Sequence, residues 1–373
     1  MSDQNIELQL TTNRFPQVFQ PFYAKDMYRI LTLCLFLIHG WSGFIYGIDS
    51  LISSFATLLG YVLVDGLIHP RLKKTPFLVI QSLYGGLLTG AILPPGIGFG
   101  FGFFLGGMAV GSAKWLFGGF KGIWVHPAFV VFLFLSLSGG QQFQSFLAPL
   151  ETPADFFASS SLSGLPPADS LIQVGYLGPE IVPIQAVLAE AKSYGRLLDE
   201  ELRAILNRNG LSQIGVQLPP GYISSFLGFE PSFIGGTSVA LMLILSVFLI
   251  GGNYIRVRPV VWFLLVSSFL YYVFGDLFVS GQLFQGDVLF FLTTGGVLFT
   301  GYLIIGDLTI SPKYGLSQDI FGILTGILVV IFRIGGIGTY GAILSVTLVS
   351  LFQPLLDKAC RPKQYGLVKG IHV

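Results

Sequence analysis

Three features of the 373 residues predict an all-α polytopic membrane protein. Charged residues make up only 10% of the chain and hydrophobic ones 53%, where a soluble domain carries about 25% charge. The mean hydropathy is +0.75, and the apolar residues gather in runs close to the roughly 20 that cross a bilayer. Lys and Arg cluster between alternate runs, the pattern that orients helices in a membrane.

Ten apolar segments are expected, at 29–48, 51–68, 77–93, 97–117, 126–138, 233–252, 259–280, 287–305, 319–332 and 337–356. The fifth is short, and either runs on into SLSGGQQFQSF or is tilted or partly buried in protein. Arg71, Lys73 and Lys74 follow the second segment, Lys114 and Lys121 the fourth, Arg256 and Arg258 the sixth, and Lys313 the eighth. Lys358, Arg361, Lys363 and Lys369 follow the tenth. All fall on one side if both termini are cytoplasmic, which places the chain as a multi-pass protein of the cell's inner (plasma) membrane. Arg333 falls at the opposite side, either as an arginine snorkelling to the headgroups or as a phosphate ligand.

The chain then divides into a cytoplasmic segment 1–28, a first transmembrane repeat 29–139, an extracytoplasmic loop 140–231, a second repeat 232–357 and a basic tail 358–373. The loop begins rich in Ser, Pro and Gly and then carries a helix expected over 183–208, with Gly210 as its stop. Residues 87–134 and 298–349 share a Leu-x-Thr-Gly start, a proline or polar break, a Gly-rich span and a small-residue start to the last span. Five segments per half is an odd number, so the second half runs inverted. The breaks, Pro94–Pro95 and Asp307–Pro312, occupy corresponding positions. A break at membrane depth is tolerated where it lines a cavity or is buried in protein. Asp307 is thus either the cap of a helical turn or a ligand or cation contact.

Several chemistries find no support. The net charge is +1, which gives no basis for nucleic-acid binding. Cys34 and Cys360 form no disulfide framework, metal site or iron–sulfur motif. No signal peptide is expected. There is no Walker loop, no dinucleotide fingerprint after a strand and no nucleophile with its base; the glycines of GIGFGFG (96–102) open an apolar span. His39 and His126 could ligate haem only as a pair. The reading preferred here is a hydrogen-bonded buried histidine at 39 and a polar helix cap at 126.

Six stretches in order resemble the RnfD membrane component of Rnf-type ferredoxin:NAD oxidoreductases and its sister, the NqrB component of sodium-pumping NADH:quinone oxidoreductases. They are PFYAKDMYRIL with YVLVDGLIHPRLKK, GGLLTGAILPP, KWLFGGFKGIWVHPAFV, SFIGGTSVALMLILSVFLIGG, VLFTGYLIIGDLTISP and LFQPLLD. The resemblance implies a ten-helix inverted-repeat membrane protein carrying flavin. It implies assembly with other subunits, one of them an outer FMN-carrying subunit, and redox steps coupled to Na+ or H+ movement. The family attaches FMN to a threonine of S-G-A-T-P; here Ser163-Gly164-Leu165-Pro166-Pro167 aligns, and Pro166 has no hydroxyl to esterify. The glutamate of the family's GETS is Gly236, with Thr237 and Ser238 retained. The asparagine of NPA is His126, and an acidic position before the last span is Tyr340. Asp307, Thr309, Ser311 and Pro312 match.

The cofactor expected is therefore FMN held without a covalent bond or absent, with riboflavin or quinone as further occupants of the membrane part. Candidate cofactor-binding residues are Ser163, Gly164, Thr237, Ser238, Asp307, Thr309 and Arg333. For Thr237 and Ser238 the plainer reading is a hydroxyl bonded back to its own helix. A solute or ion transporter, or a structural scaffold, on the same fold is the competing expectation. No metal site is expected, and no catalysis by the chain alone.

Overall fold

A computed structural model describes residues 24–68, 76–115, 125–138, 146–147, 149–150, 156, 163–165, 194–209, 213, 221–275, 277, 283–335 and 339–361. The first half holds α1 (Ala24–Tyr46), α2 (Ile48–Ile68), α3 (Pro76–Ile92), α4 (Phe99–Val110, continuing as a π turn Gly111–Trp115) and α5 (Pro127–Ser138). A two-stranded antiparallel ribbon, β1 (Phe146–Leu147) with β2 (Ser163–Leu165), follows, then α6 (Tyr194–Asn209) and α7 (Tyr222–Leu227). The second half holds α8 (Val239–Gly251), α9 (Val257–Phe274), α10 (Val288–Thr293), α11 (Val297–Phe299, continuing as a π turn Thr300–Ile305), α12 (Gly315–Ile334), α13 (Gly341–Leu351) and α14 (Gln353–Ala359).

Among the described residues, α1, α2, α9 and α12 are long and apolar enough to cross a membrane. The pair α13 and α14, bent by 51°, makes a fifth span if counted as one. α3, α4, α5 and α8 are apolar but shorter. The outer faces are greasy: Leu33, Phe36 and Leu37 on α1 and Leu265 and Phe269 on α9 are exposed, which suits hydrocarbon rather than water. Hydroxyls inside the helices bond to their own backbone, as Thr57 to Ser53, Thr325 to Phe321 and Thr347 to Ile343. That satisfies groups for which lipid offers no partner.

The two halves pack alike. α2 lies against α4, and α12 against α9, in each half the second apolar segment against the fourth. Both contacts use glycines four apart. A Cβ at Gly106 would meet the Thr57 carbonyl oxygen at 2.1 Å, and one at Gly322 would meet that of Pro259 at 2.4 Å. Gly102 and Gly326 repeat the contact one turn away. Small residues so spaced let backbones approach where apolar burial alone cannot draw helices together.

One expectation is corrected here. The segment 287–305 is not one helix. α10 ends at Thr293, and Gly295 (φ +66°) and Gly296 (φ +60°) turn the chain through the left-handed region before α11 begins. Glycine enters that region without a Cβ penalty, so Thr-Thr-Gly-Gly breaks a run that hydropathy alone joins. The loop helix is described over Tyr194–Asn209; residues 183–193 and Gly210 lie outside the described residues.

Candidate functional site

The site is built around the second break. The chain leaves the π turn at Gly306, and Asp307 ties down the next few residues. Its Oδ1 accepts from the Thr309 N–H at 2.8 Å, and its carbonyl accepts from Ser311 N–H at 2.9 Å. Oδ2 accepts from the Tyr84 hydroxyl of α3 at 2.5 Å. Asp307 is fully buried. The capping reading of Asp307 is thus correct, and the tyrosine adds a tie between the two halves.

Each break is also gripped by a donor near the start of the second helix in its own half. Ser53 of α2 donates to the Pro95 carbonyl at 2.6 Å. Arg256, just before α9, donates to the Ser311 carbonyl at 2.6 Å and to that of Pro312. Burial pulls the Arg256 guanidinium below its usual pKa, while the charges of Asp357 and Asp307 hold it up. Asp357 of α14 in turn accepts from Lys313 N–H at 2.9 Å and the Ser317 hydroxyl at 3.0 Å.

Beside this break lies a cavity of about 540 Å³, within the size range of small-molecule pockets. Tyr28, Gln81 and Tyr84 from α1 and α3, His126 at the start of α5, and Thr309 from the break line it. α14 closes it with Gln353 and Asp357. The buried Gln81 Oε1 has no hydrogen-bond partner among the described residues, so the wall presents an acceptor that an N–H or O–H of a bound molecule can satisfy. Of the polar lining residues, the sequence patterns do not distinguish Tyr28, Gln81 or Tyr84, and mark Lys313 only as an orienting charge. Tyr84 directly precedes the GGLLTGAILPP stretch (85–95), which by itself assigns the tyrosine no role.

The other predicted residues separate into two places. Thr237 donates to the Ile234 carbonyl at 2.6 Å, as a hydroxyl bonded back to its own turn. Ser238 instead caps α8, accepting from Leu241 N–H at 3.2 Å; the expectation of back-bonding fails there because Ser238 is extended and precedes the helix. Arg333 does not snorkel. It is buried, donates to the Thr294 hydroxyl and lies 5.6 Å from the Phe291 ring centre. The Thr-Thr-Gly-Gly break supplies that partner, which is why its side chain turns inward. Thr237 and Thr294 line one small chamber, so Arg333 and Thr237 meet through Thr294, away from Asp307 and Thr309.

Ser163 and Gly164 lie in β2, where Ser163 pairs with Leu147 and Leu165 with Phe146. Leu147 packs with Ile45, Tyr46 and Phe229 and closes over Gly96 beside the first break. Pro166 lies outside the described residues. The histidines behave as expected: His39 donates from Nε2 to the Leu87 carbonyl at 2.9 Å and pairs Nδ1 with Ser54 at 2.7 Å. His126 Nδ1 accepts from Ala128 N–H at 3.3 Å at the start of α5.

Long apolar helices, buried helix breaks and a cavity between two similarly packed halves define a polytopic membrane protein built around an internal site. The chain belongs to the NQR2, RnfD, RnfE family, whose model matches residues 11–366. It is 26% identical over 343 residues to the D component of the ion-translocating oxidoreductase complex of Yersinia enterocolitica, covering 88% of this chain and 90% of that one. It is 22% identical over 353 residues to the component of the same name from Methanosarcina acetivorans, covering 94% and 95%. A 28% identity to the D component of the proton-translocating ferredoxin:NAD(+) oxidoreductase complex of Clostridium ljungdahlii runs over 145 residues, 39% of this chain and 43% of that one.

Proposed function

We propose that this chain is the membrane subunit of an ion-translocating electron transport complex, that it handles electrons through a noncovalently held flavin, and that it has lost the covalent FMN of its relatives. It works with other subunits, including an outer FMN-carrying one, and redox turnover is coupled to Na+ or H+ movement. Its ten apolar segments form two inverted repeats with both termini in the cytoplasm; the matched glycine contacts of α2 with α4 and of α9 with α12 support that arrangement.

The observation that carries the reading is the cavity beside Asp307. It draws on both halves, has the volume of a cofactor site, and holds the Gln81 Oε1, which has no partner among the described residues. A flavin or a quinone fits those features. Gln81 would receive a donor from it, Tyr28 and His126 would bound it, and Asp307 with Tyr84 would hold the wall in place. A flavin supplies one- and two-electron chemistry; the protein supplies position and electrostatics. Pro166 in the place of the attachment threonine supports the loss of the covalent group.

The test is coupled ion uptake by membrane vesicles carrying the whole complex, with and without this chain. Uptake driven by electron transfer and lost without the chain is expected. The competing reading, a transporter on the same fold, is favoured by that same Pro166. It predicts solute or ion flux through liposomes holding the chain alone, with no electron donor present.

A further inference from the structure

α6 lies outside every apolar segment of the chain, yet it exposes an apolar ridge. Leu202 is 38%, Ile205 54% and Leu206 47% exposed, and spacings of three and four residues put them on one side of the helix. The stripe beside that ridge faces the protein: Asp199 is buried, and Arg203 and Asn207, each about one turn further along, are half-buried. Glu200, Glu201 and Arg208 are exposed on the remaining side. A single exposed leucine is ordinary on a protein surface, whereas a contiguous apolar patch marks a contact.

Two bonded steps place that ridge at the membrane boundary. Asp287 caps α10, accepting from Phe290 N–H at 2.9 Å, and it opens the eighth apolar segment, so it stands where lipid begins. α7 hangs on this point: the Tyr222 hydroxyl donates to Asp287, and its ring lies edge-on to Phe290 at 6.3 Å. Tyrosine gathers at this level of a bilayer because its ring is apolar and its tip polar. α6 hangs on α7 in turn. The buried Asp199 accepts from the N–H groups of Gly221, Ile223 and Ser224 at 3.0, 3.1 and 3.2 Å. The hydrocarbon-facing surface runs up to the same place. Leu289 on α10 and Phe226 on α7 are exposed, and α7 packs on α8, whose Ile244 and Val247 are exposed as well.

We infer that α6 is an interfacial helix that docks on the lipid surface, with Leu202, Ile205 and Leu206 inserted at the boundary between headgroups and acyl chains. Amphipathic helices of this kind lie in the plane of the bilayer and bury their apolar face by a few ångströms. Here the helix straps the long segment between α5 and α8 to the membrane surface. Its side-chain charges carry no basic cluster: Glu200 and Glu201 stand against Arg203 and Arg208. The contact therefore rests on apolar burial, and neutral lipid suffices for it, where basic interfacial helices draw on anionic headgroups.

The experiment is depth-dependent fluorescence quenching on the complex containing the full chain, in phosphatidylcholine nanodiscs. Cys360→Ser leaves Cys34, which is buried, and Ile205→Cys then carries an environment-sensitive fluorophore. Glu201→Cys, on the polar side of the same helix, carries the same label as the control. A phospholipid with a nitroxide near the glycerol end of its acyl chain quenches the label at position 205 about twofold or more over that at 201, and aqueous iodide does the reverse. Leu202→Cys repeats the measurement on the same ridge should Ile205→Cys fail to assemble. A ridge label open to iodide and untouched by lipid nitroxide would overturn the inference and leave α6 in water. A ridge label shielded from both quenchers would overturn it in favour of a protein partner.

Discussion

Tyr84 and Asp307 stand 223 residues apart in sequence and meet at 2.5 Å, the phenol donating to the carboxyl deep in the protein. The bond ties a helix of the first half to the break of the second. Both residues are almost wholly buried, so neither can exchange the other for water when the pair is cut.

Tyr84→Phe therefore leaves Asp307 with its turn bonds but without its cross-half donor. A hydrogen bond to a charged group is worth about 1.5–3 kcal/mol, and a loss of that order is expected in reversible unfolding in mixed micelles. Asp307→Ala costs more, because it also frees the Thr309 N–H. In a double-mutant cycle the two changes are strongly non-additive, as expected for direct partners; additive effects would show that the contact does not form in the folded protein.

Gly106→Ala and Gly322→Ala each drive a methyl group into a backbone carbonyl of the facing helix. Overpacking of this kind costs about 1–3 kcal/mol. Gly100→Ala, on the same helix as Gly106 with nothing within 4 Å, is neutral or gains up to about 1 kcal/mol from helix propensity. Comparing melting temperatures of the three variants checks the helix contacts without any assay of function.

Arg256→Met removes the one terminal nitrogen, Nη1, that donates to both the Ser311 and the Pro312 carbonyl. Methionine has no N–H to give, so both carbonyls lose their side-chain donor. Faster proteolysis between Asp307 and Gly315 is expected in this variant, read by limited digestion and mass spectrometry, while sites in the Tyr194–Asn209 helix cleave at the wild-type rate.

Gln81→Met removes a buried acceptor in the cavity wall that has no partner among the described residues. Flavin retained through purification should fall about five- to tenfold, the equivalent of one hydrogen bond at roughly 1–1.5 kcal/mol. Flavin content per chain, measured beside the melting curve, separates this from general destabilisation.

Much of the architecture is legible in the chain because lipid imposes simple rules. Each of the ten apolar runs contains or overlaps a helical segment of the structure. Asp307 stands out because a carboxyl in such a run needs a reason, and its capping bonds supply one. What stays hidden depends on pairing across long separations. Nothing near Tyr84 announces Asp307, and nothing near Arg333 announces Thr294. The break at Gly295 and Gly296 is hidden for another reason: hydropathy averages over glycines, whereas backbone conformation turns on them.

The central claim is a flavin held without a covalent bond, and denaturation of the purified complex tests it most directly. A flavin spectrum in the native complex, with stoichiometric flavin released to the supernatant and a non-fluorescent band for this chain, is the result the account predicts. Fluorescence that stays with this band would contradict the loss of the covalent group, and a complex with no flavin attributable to this chain would contradict its role as an electron carrier.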